Sequence, residues 1–281
     1  MNFKRFTIVL ILAFYAVLTW SQTSKTGILL VHYGTANDSS RSLTIDKLNK
    51  LVSDKFNDCD VVEAYAASAV IKTLAKRGIY KLSIPQALDS LRNHGCTHLV
   101  VQSTMLLDGV MTDMLEKNID NVRKNFKKIS LGKPLLYSVA DCRNLITMIN
   151  ENLLADKSLN VKNAQVVLVG HGSDSPANAI YSQIDYLLKD EGKSQWHVGT
   201  IEGYPTISCV ERQVKMQKSK SIILVPLLYI AGNHQKEDIN GVWRKQFEKE
   251  GYKVNVVSKG LGEMKEIQRM ILDKLSALVG E

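Results

Sequence analysis

Short runs of aliphatic and β-branched residues recur along the chain, with amphipathic stretches between them. GILLVH (27–32), DVVEAYA (60–66), THLVVQ (97–102), QVVLVG (165–170), WHVGTIE (196–202), SIILVPLL (221–228) and KVNVVS (253–258) read as strands. Apolar residues at helical spacing fill SLTIDKLNKLVSDKF (42–56), PANAIYSQIDYLLKD (176–190) and EMKEIQRMILDKLSALV (263–279). The last places Ile267, Met270, Ile271, Leu275 and Leu278 on one face. Near-continuous apolar strands alternating with helices predict an α/β fold whose parallel sheets are covered on both faces.

The pattern also repeats. ILLVHYGT (28–35) aligns with VVLVGHGS (166–173) as strand, polar turn, glycine and hydroxyl. HLVVQSTMLLDG (98–109) aligns with IILVPLLYIAG (222–232) at the ends. This predicts two similar lobes, each a parallel sheet flanked by helices, facing one another across a cleft. The seam falls between Lys133 and Gln165, and the lobes are taken as 23–140 and 141–281.

Residues 1–22 stand apart. MNFKRF carries Lys4 and Arg5, TIVLILAFYAVLTW (7–20) has no charge, and SQTSK follows. A basic start, a short apolar centre and small polar residues form the pattern of a signal peptide. The apolar run is shorter than the roughly 20 residues that span a bilayer. The chain is therefore expected to be exported and periplasmic after cleavage, touching a membrane only through this segment.

Composition narrows the picture further. Of 281 residues, 45% are hydrophobic and 23% charged, which fits a folded protein. The formal charge of +8 suits an anionic partner. Nucleic acid is not expected: no zinc-finger spacing, RNP-like aromatic motif or dense basic helix is present. A small polycarboxylate fits better. Cys59, Cys96, Cys142 and Cys209 have no C-x-x-C spacing and are expected as free thiols, most of them buried.

In open parallel sheets, ligands bind beyond the carboxyl ends of the strands. His171 follows QVVLVG between Gly170 and Gly172, where the backbone can turn sharply and a ligand can approach. Glu202 follows WHVGTI, and a carboxylate there must be paired, solvated or bound to a cation. PLLYIAGNH (226–234) delivers His234, with Glu237 and Asp238 three and four positions on, along one helix face. Two imidazoles and a carboxylate from three strands of one lobe form a donor set for a divalent transition ion, with coordination positions left open. No HExxH, G-x-S-x-G, Walker A or G-x-G-x-x-G after a strand competes with that reading.

These stretches resemble the anaerobic cobalt chelatases of the CbiK type, the sirohydrochlorin cobaltochelatases, which are related in fold to ferrochelatases. The matching segments are LLVHYGT with Arg41 and Thr44, VGHGSDSPANAIY, VGTIEGYP, VPLLYIAGNH with Asp238 and Gly241, and KGLGE (259–263). The resemblance implies a two-lobed chelatase fold, a tetrapyrrole in the cleft, and a His–Glu–His set falling on His171, Glu202 and His234. His171 would accept a pyrrole proton, His234 would share metal delivery, and Glu202 would balance the ion's charge. His32, Tyr33 and Met105 would contact the tetrapyrrole. The metal would be a substrate, Co²⁺ first, with Fe²⁺, Ni²⁺ or Zn²⁺ open to the same donors.

The chain also departs from its relatives. The family usually places a histidine in the loop after the third strand, where QSTMLLDG (102–109) has Met105, which accepts no proton. His32 stands where relatives often have a small residue. An export signal is unexpected for cobalamin synthesis. Two alternatives therefore stand beside a chelatase: an exported haem- or tetrapyrrole-binding or dechelating protein, and a periplasmic metal-binding protein. Homo-oligomerisation is left open.

Overall fold

The computed structural model describes residues 24–280, so the leader expected over residues 1–22 lies outside the described residues. Two four-stranded sheets form. β1 (Thr26–His32), β2 (Asp60–Tyr65), β3 (His98–Ser103) and β4 (Lys128–Leu131) pair in the order β2-β1-β3-β4. β5 (Gln165–Gly170), β6 (Trp196–Thr200), β7 (Ser221–Leu227) and β8 (Lys253–Val256) pair in the order β6-β5-β7-β8. Every pairing is parallel. The repeated order is the structural counterpart of the repeated sequence pattern.

The helices are α1 (Asp38–Arg41, π-helical through Ser42–Asp46, then Lys47–Lys55), α2 (Ser68–Ala75), α3 (Ile84–Asn93), α4 (Val110–Val122) and α5 (Val139–Ala155). In the second half come α6 (Ala179–Asp190), α7 (Ile207–Lys215), α8 (π-helical Gln235–Trp243, then Arg244–Lys249) and α9 (Lys265–Gly280). Their starts are chemically marked. Asn37 accepts from the Ser40 N–H at 2.9 Å, and Ser138 with Asp141 closes a capping box at α5.

The apolar strands are buried on both faces because alternate residues enter different cores. Leu29 and Val31 of β1 join α3 and α4 on the outer face of the first sheet. Val167 and Val169 of β5 join Val210, Trp243 and Phe247 outside the second. The inner faces share one core. Ile28, Leu30 and Val100 meet Val166, Leu168 and Ile223 through Cys142, Ile146 and Ile149 of α5 and Ile267, Ile271 and Leu275 of α9. Helix α9 crosses back onto β3 and β4, so the end of the chain closes the first sheet. At the cleft, Ser40 Oγ donates to the Ala231 carbonyl at 3.3 Å and the π turn of α1 touches the turn Leu261–Glu263. No helix among the described residues is long and apolar enough to cross a membrane. All four cysteines are free: Cys96 and Cys142 are buried, Cys59 and Cys209 half-buried.

Candidate metal centre

Strands β5, β6 and β7 end at one edge, and their loops fold together there. Gly172 adopts a left-handed backbone (φ +89°), and a Cβ at that position would fall onto the Glu202 carbonyl oxygen. That close approach lets the two loops pair: the Glu202 N–H donates to the His171 carbonyl at 2.7 Å and the Ile201 N–H to the Gly170 carbonyl at 2.9 Å. Asn178 fastens the other side. Its Oδ1 accepts from the Ser173 N–H at 2.9 Å and its Nδ2 donates to the Tyr204 carbonyl at 2.6 Å. Thr200 holds the return of the loop, donating to the Pro205 carbonyl from both N and Oγ1 at 2.7 and 3.0 Å.

On this frame the rings of His171 and His234 meet edge to face, with centroids 4.7 Å apart. Their tautomers follow from their partners. His171 Nδ1 lies 3.0 Å from the Gly172 carbonyl oxygen, and His234 Nδ1 lies 2.8 Å from Asp238 Oδ2. A carbonyl and an ionised carboxylate only accept, so each Nδ1 carries the hydrogen. In the neutral rings both Nε2 atoms then hold a free lone pair, the form in which imidazole binds a metal or takes a proton. Glu202 is joined to this pair through its backbone. Its side chain is exposed and makes no hydrogen bond among the described residues. Among the described residues no three His, Cys, Asp or Glu side chains converge closely enough to hold an ion. The structure thus assembles the two imidazoles and joins Glu202 to them through its backbone alone, with the carboxylate outside the expected donor set.

The residues expected to touch a tetrapyrrole separate into three environments. Tyr33 is 51% exposed at the edge of the first sheet. His32 is fully buried, with Nδ1 3.1 Å from Thr104 Oγ1 and Nε2 3.0 Å from Asn49 Oδ1. The Asn49 amide donates to Glu63 at 2.6 Å, so its oxygen accepts and His32 carries its hydrogen on Nε2. Thr104 then donates to Nδ1, and no lone pair is left for a ligand in this arrangement. Burial pushes the His32 pKa down, against weaker upward pulls from the Asn49 hydrogen bond and Glu63. The side chain of Met105 packs on the outer core of the first lobe, and its carbonyl accepts from the Leu135 N–H.

A pocket of about 300 Å³ opens between the lobes, walled by Leu107, Leu136 and Tyr137 on one side and Pro176, Ala177 and Ile180 on the other. Its second wall begins five residues after His171 in the chain, and Asp108 and Gln183 add polar groups to its lining. The role of Asn178 depends on contacts made only in the folded loops. A short-range Asn in a loop of Ser, Asp and Pro was the available signal.

The family profile of cobalt chelatase (CbiK) matches residues 26–279. The sirohydrochlorin cobaltochelatase of Salmonella typhimurium is 25% identical over 256 residues, spanning 89% of this chain and 95% of that protein. The sirohydrochlorin cobaltochelatase CbiKC of Nitratidesulfovibrio vulgaris is 26% identical over 262 residues, spanning 91% of each. Among solved structures, SirB from Bacillus subtilis with Fe3+ superposes with a TM-score of 0.68 at 17% identity, covering 90% of this chain and 95% of that one. At that identity the superposition speaks to the fold. This chain belongs to the cobalt chelatase (CbiK) family and has the two-lobed fold of the class II chelatases.

Proposed function

We propose that this protein inserts Co²⁺ into sirohydrochlorin, and that it does so after export. The observation that carries the reading is the pair of imidazoles at one sheet edge, both with Nδ1 engaged and Nε2 free. Insertion replaces two pyrrole N–H protons by one divalent ion, so the site must accept protons and strip water from the metal. His171 Nε2 takes one pyrrole proton and solvent water takes the other, His234 Nε2 holds the ion, and Glu202 closes on the ion from its exposed position. The inter-lobe pocket receives an edge of the macrocycle, and the net positive charge favours capture of its carboxylates. The same donors accept Fe²⁺, Ni²⁺ or Zn²⁺ as the transferred ion.

A second reading rests on the leader sequence and Met105. An exported protein lacking the loop histidine of its relatives could hold a tetrapyrrole or haem, or withdraw its metal, outside the cytoplasm. One experiment separates the two: anaerobic absorbance of the mature protein with sirohydrochlorin and Co²⁺, beside His171→Ala. Rapid conversion to the cobalt spectrum, lost in the variant, establishes insertion. Tetrapyrrole binding with no faster insertion establishes a carrier. Sequencing the mature N-terminus tests export; a chain that starts at Met1 overturns cleavage.

A further inference from the structure

We propose that Asp238 is a positioning residue that makes His234 the stronger metal donor of the pair. The inference rests on the reading of His234 as a metal ligand. The two imidazoles are engaged through the same ring nitrogen but by chemically different partners. His171 Nδ1 donates to the neutral carbonyl of Gly172 at 3.0 Å, whereas His234 Nδ1 donates to the Asp238 carboxylate at 2.8 Å. A carboxylate behind an imidazole fixes the tautomer and ring orientation and strengthens the far nitrogen as a donor to a cation. A neutral carbonyl fixes the tautomer with a weaker electrostatic pull.

The placement of Asp238 is held by its helix. The π-helical stretch Gln235–Trp243 is pinned by Ile239 and Trp243, both buried in the core outside the second sheet. Gln235, also buried, donates to the Val257 carbonyl at 3.4 Å. The Asp238 side chain is about one-third exposed (31%) and borders a small cavity of about 170 Å³ with Thr200, Thr206 and Trp243. No Lys or Arg pairs with it among the described residues, so its charge is directed to His234 alone. Glu237, next to it on the helix, is exposed and makes no such bond.

The test uses the full mature chain, with Co²⁺ itself as the probe. Co²⁺ affinity is read from the d–d absorbance of the bound ion, and insertion kinetics are measured against Co²⁺ and against sirohydrochlorin. Asp238→Ala is expected to weaken Co²⁺ binding and raise the KM for Co²⁺ by about 10- to 100-fold. The KM for sirohydrochlorin and the melting temperature are expected to stay at wild-type values. Asp238→Asn keeps an acceptor of the same shape without the charge and should fall between. It carries the test if the alanine variant does not fold. Wild-type Co²⁺ affinity and spectrum in both variants overturn the proposal. So does a parallel loss of Co²⁺ affinity, sirohydrochlorin affinity and melting temperature, which marks a packing role. His234→Ala separates the two levels. If it leaves Co²⁺ binding unchanged, the ligand reading fails and takes this proposal with it. If it weakens binding while the Asp238 variants do not, this proposal alone fails.

Discussion

The first strand of each lobe ends in the same turn, and the turns carry different chemistry. Beyond β1 the chain reads His32, Tyr33, Gly34; beyond β5 it reads Gly170, His171, Gly172. Gly34 (φ +100°) and Gly172 (φ +89°) share the left-handed backbone that reverses the chain at the sheet edge. In the first lobe the position before the turn is filled by a buried imidazole, tied to Thr104 and Asn49. In the second lobe it is Gly170, and the ring of Tyr181 occupies the space a side chain would need. The next position holds the exposed phenol of Tyr33 in one lobe and the half-buried His171 in the other. The third strands diverge likewise: β3 leads to Met105, partly buried against the outer core, and β7 leads to His234 with Asp238 behind it. The duplicated scaffold fixes where a functional side chain can stand, and the second copy brings two imidazoles together there, the pair on which the proposed proton and metal chemistry rests.

The strongest way to break this comparison is to remove the group that each lobe presents at the turn. His171→Ala should slow Co²⁺ insertion by about 10²–10⁴-fold, the range for loss of a positioned proton acceptor. Tyr33→Phe should cost less than about tenfold, since a phenol held at an exposed edge is a poor acceptor near neutral pH. Both are measured from the anaerobic decay of the free sirohydrochlorin spectrum. Equal losses would mean that the two edges share the chemistry.

The glycines come next. An alanine at Gly172 would drive its Cβ onto the Glu202 backbone carbonyl, and one at Gly34 would drive it onto the ring of Tyr65. Both also carry the cost of a left-handed non-glycine residue, about 1 kcal/mol. Backbone held by paired loops yields less than a ring, so Gly172→Ala should destabilise by about 3–4 kcal/mol and Gly34→Ala by about 2–3 kcal/mol. Urea midpoints at constant m-value report the difference. A milder loss at Gly172 would show that the β5 and β6 loops are slack, and with them the imidazole pair.

Acid sharpens the contrast at the residue before the turn. Burial holds the folded pKa of His32 below its ordinary value, so below about pH 6.5 the unfolded chain binds a proton that the folded chain refuses. Stability is then lost as pH falls through that range, at no more than about 1.4 kcal/mol per pH unit for one proton. Nothing at Gly170 contributes a matching slope. His32→Gln should be less stable than wild type at pH 7.5 but should lose less between pH 6.5 and 5. Parallel pH profiles for the two proteins would place the acid sensitivity elsewhere.

These contrasts also mark what could be read from the chain. Strands buried on both faces were legible because QVVLVG and SIILVPLL are apolar without alternation, and the turn was legible from Gly170 and Gly172. β4 was not, because KISL is an edge strand beside lysines with a single buried residue, Ser130. The helical face joining His234 to Asp238 was legible from spacing; its π-helical winding was not. His32 and His171 look alike in sequence, each beside a glycine-bearing turn. What separates them is Asn49 and Thr104, 17 and 72 residues from His32, which meet only in the folded lobe. Likewise, the pattern of α9 shows an apolar face, but its return to the first sheet is a tertiary fact.

The mildest test concerns the loop where the lobes differ by a whole side chain. Met105 is partly buried against the outer core of the first lobe rather than turned to the imidazole pair. A histidine there must desolvate a polar ring among apolar neighbours, so Met105→His should cost about 1–2 kcal/mol of stability. Co²⁺ affinity should remain within about twofold, because metal delivery is assigned to the opposite edge. The neighbouring Leu107 does line the inter-lobe pocket, so the substitution lies two residues from its wall. A new haem spectrum or a large gain in tetrapyrrole affinity would show that this loop can turn its side chains into the cleft. The two edges would then differ by one residue rather than by the direction of the loop. Unchanged spectra with the expected loss of stability would fix Met105 as a packing residue and leave the chemistry to His171 and His234.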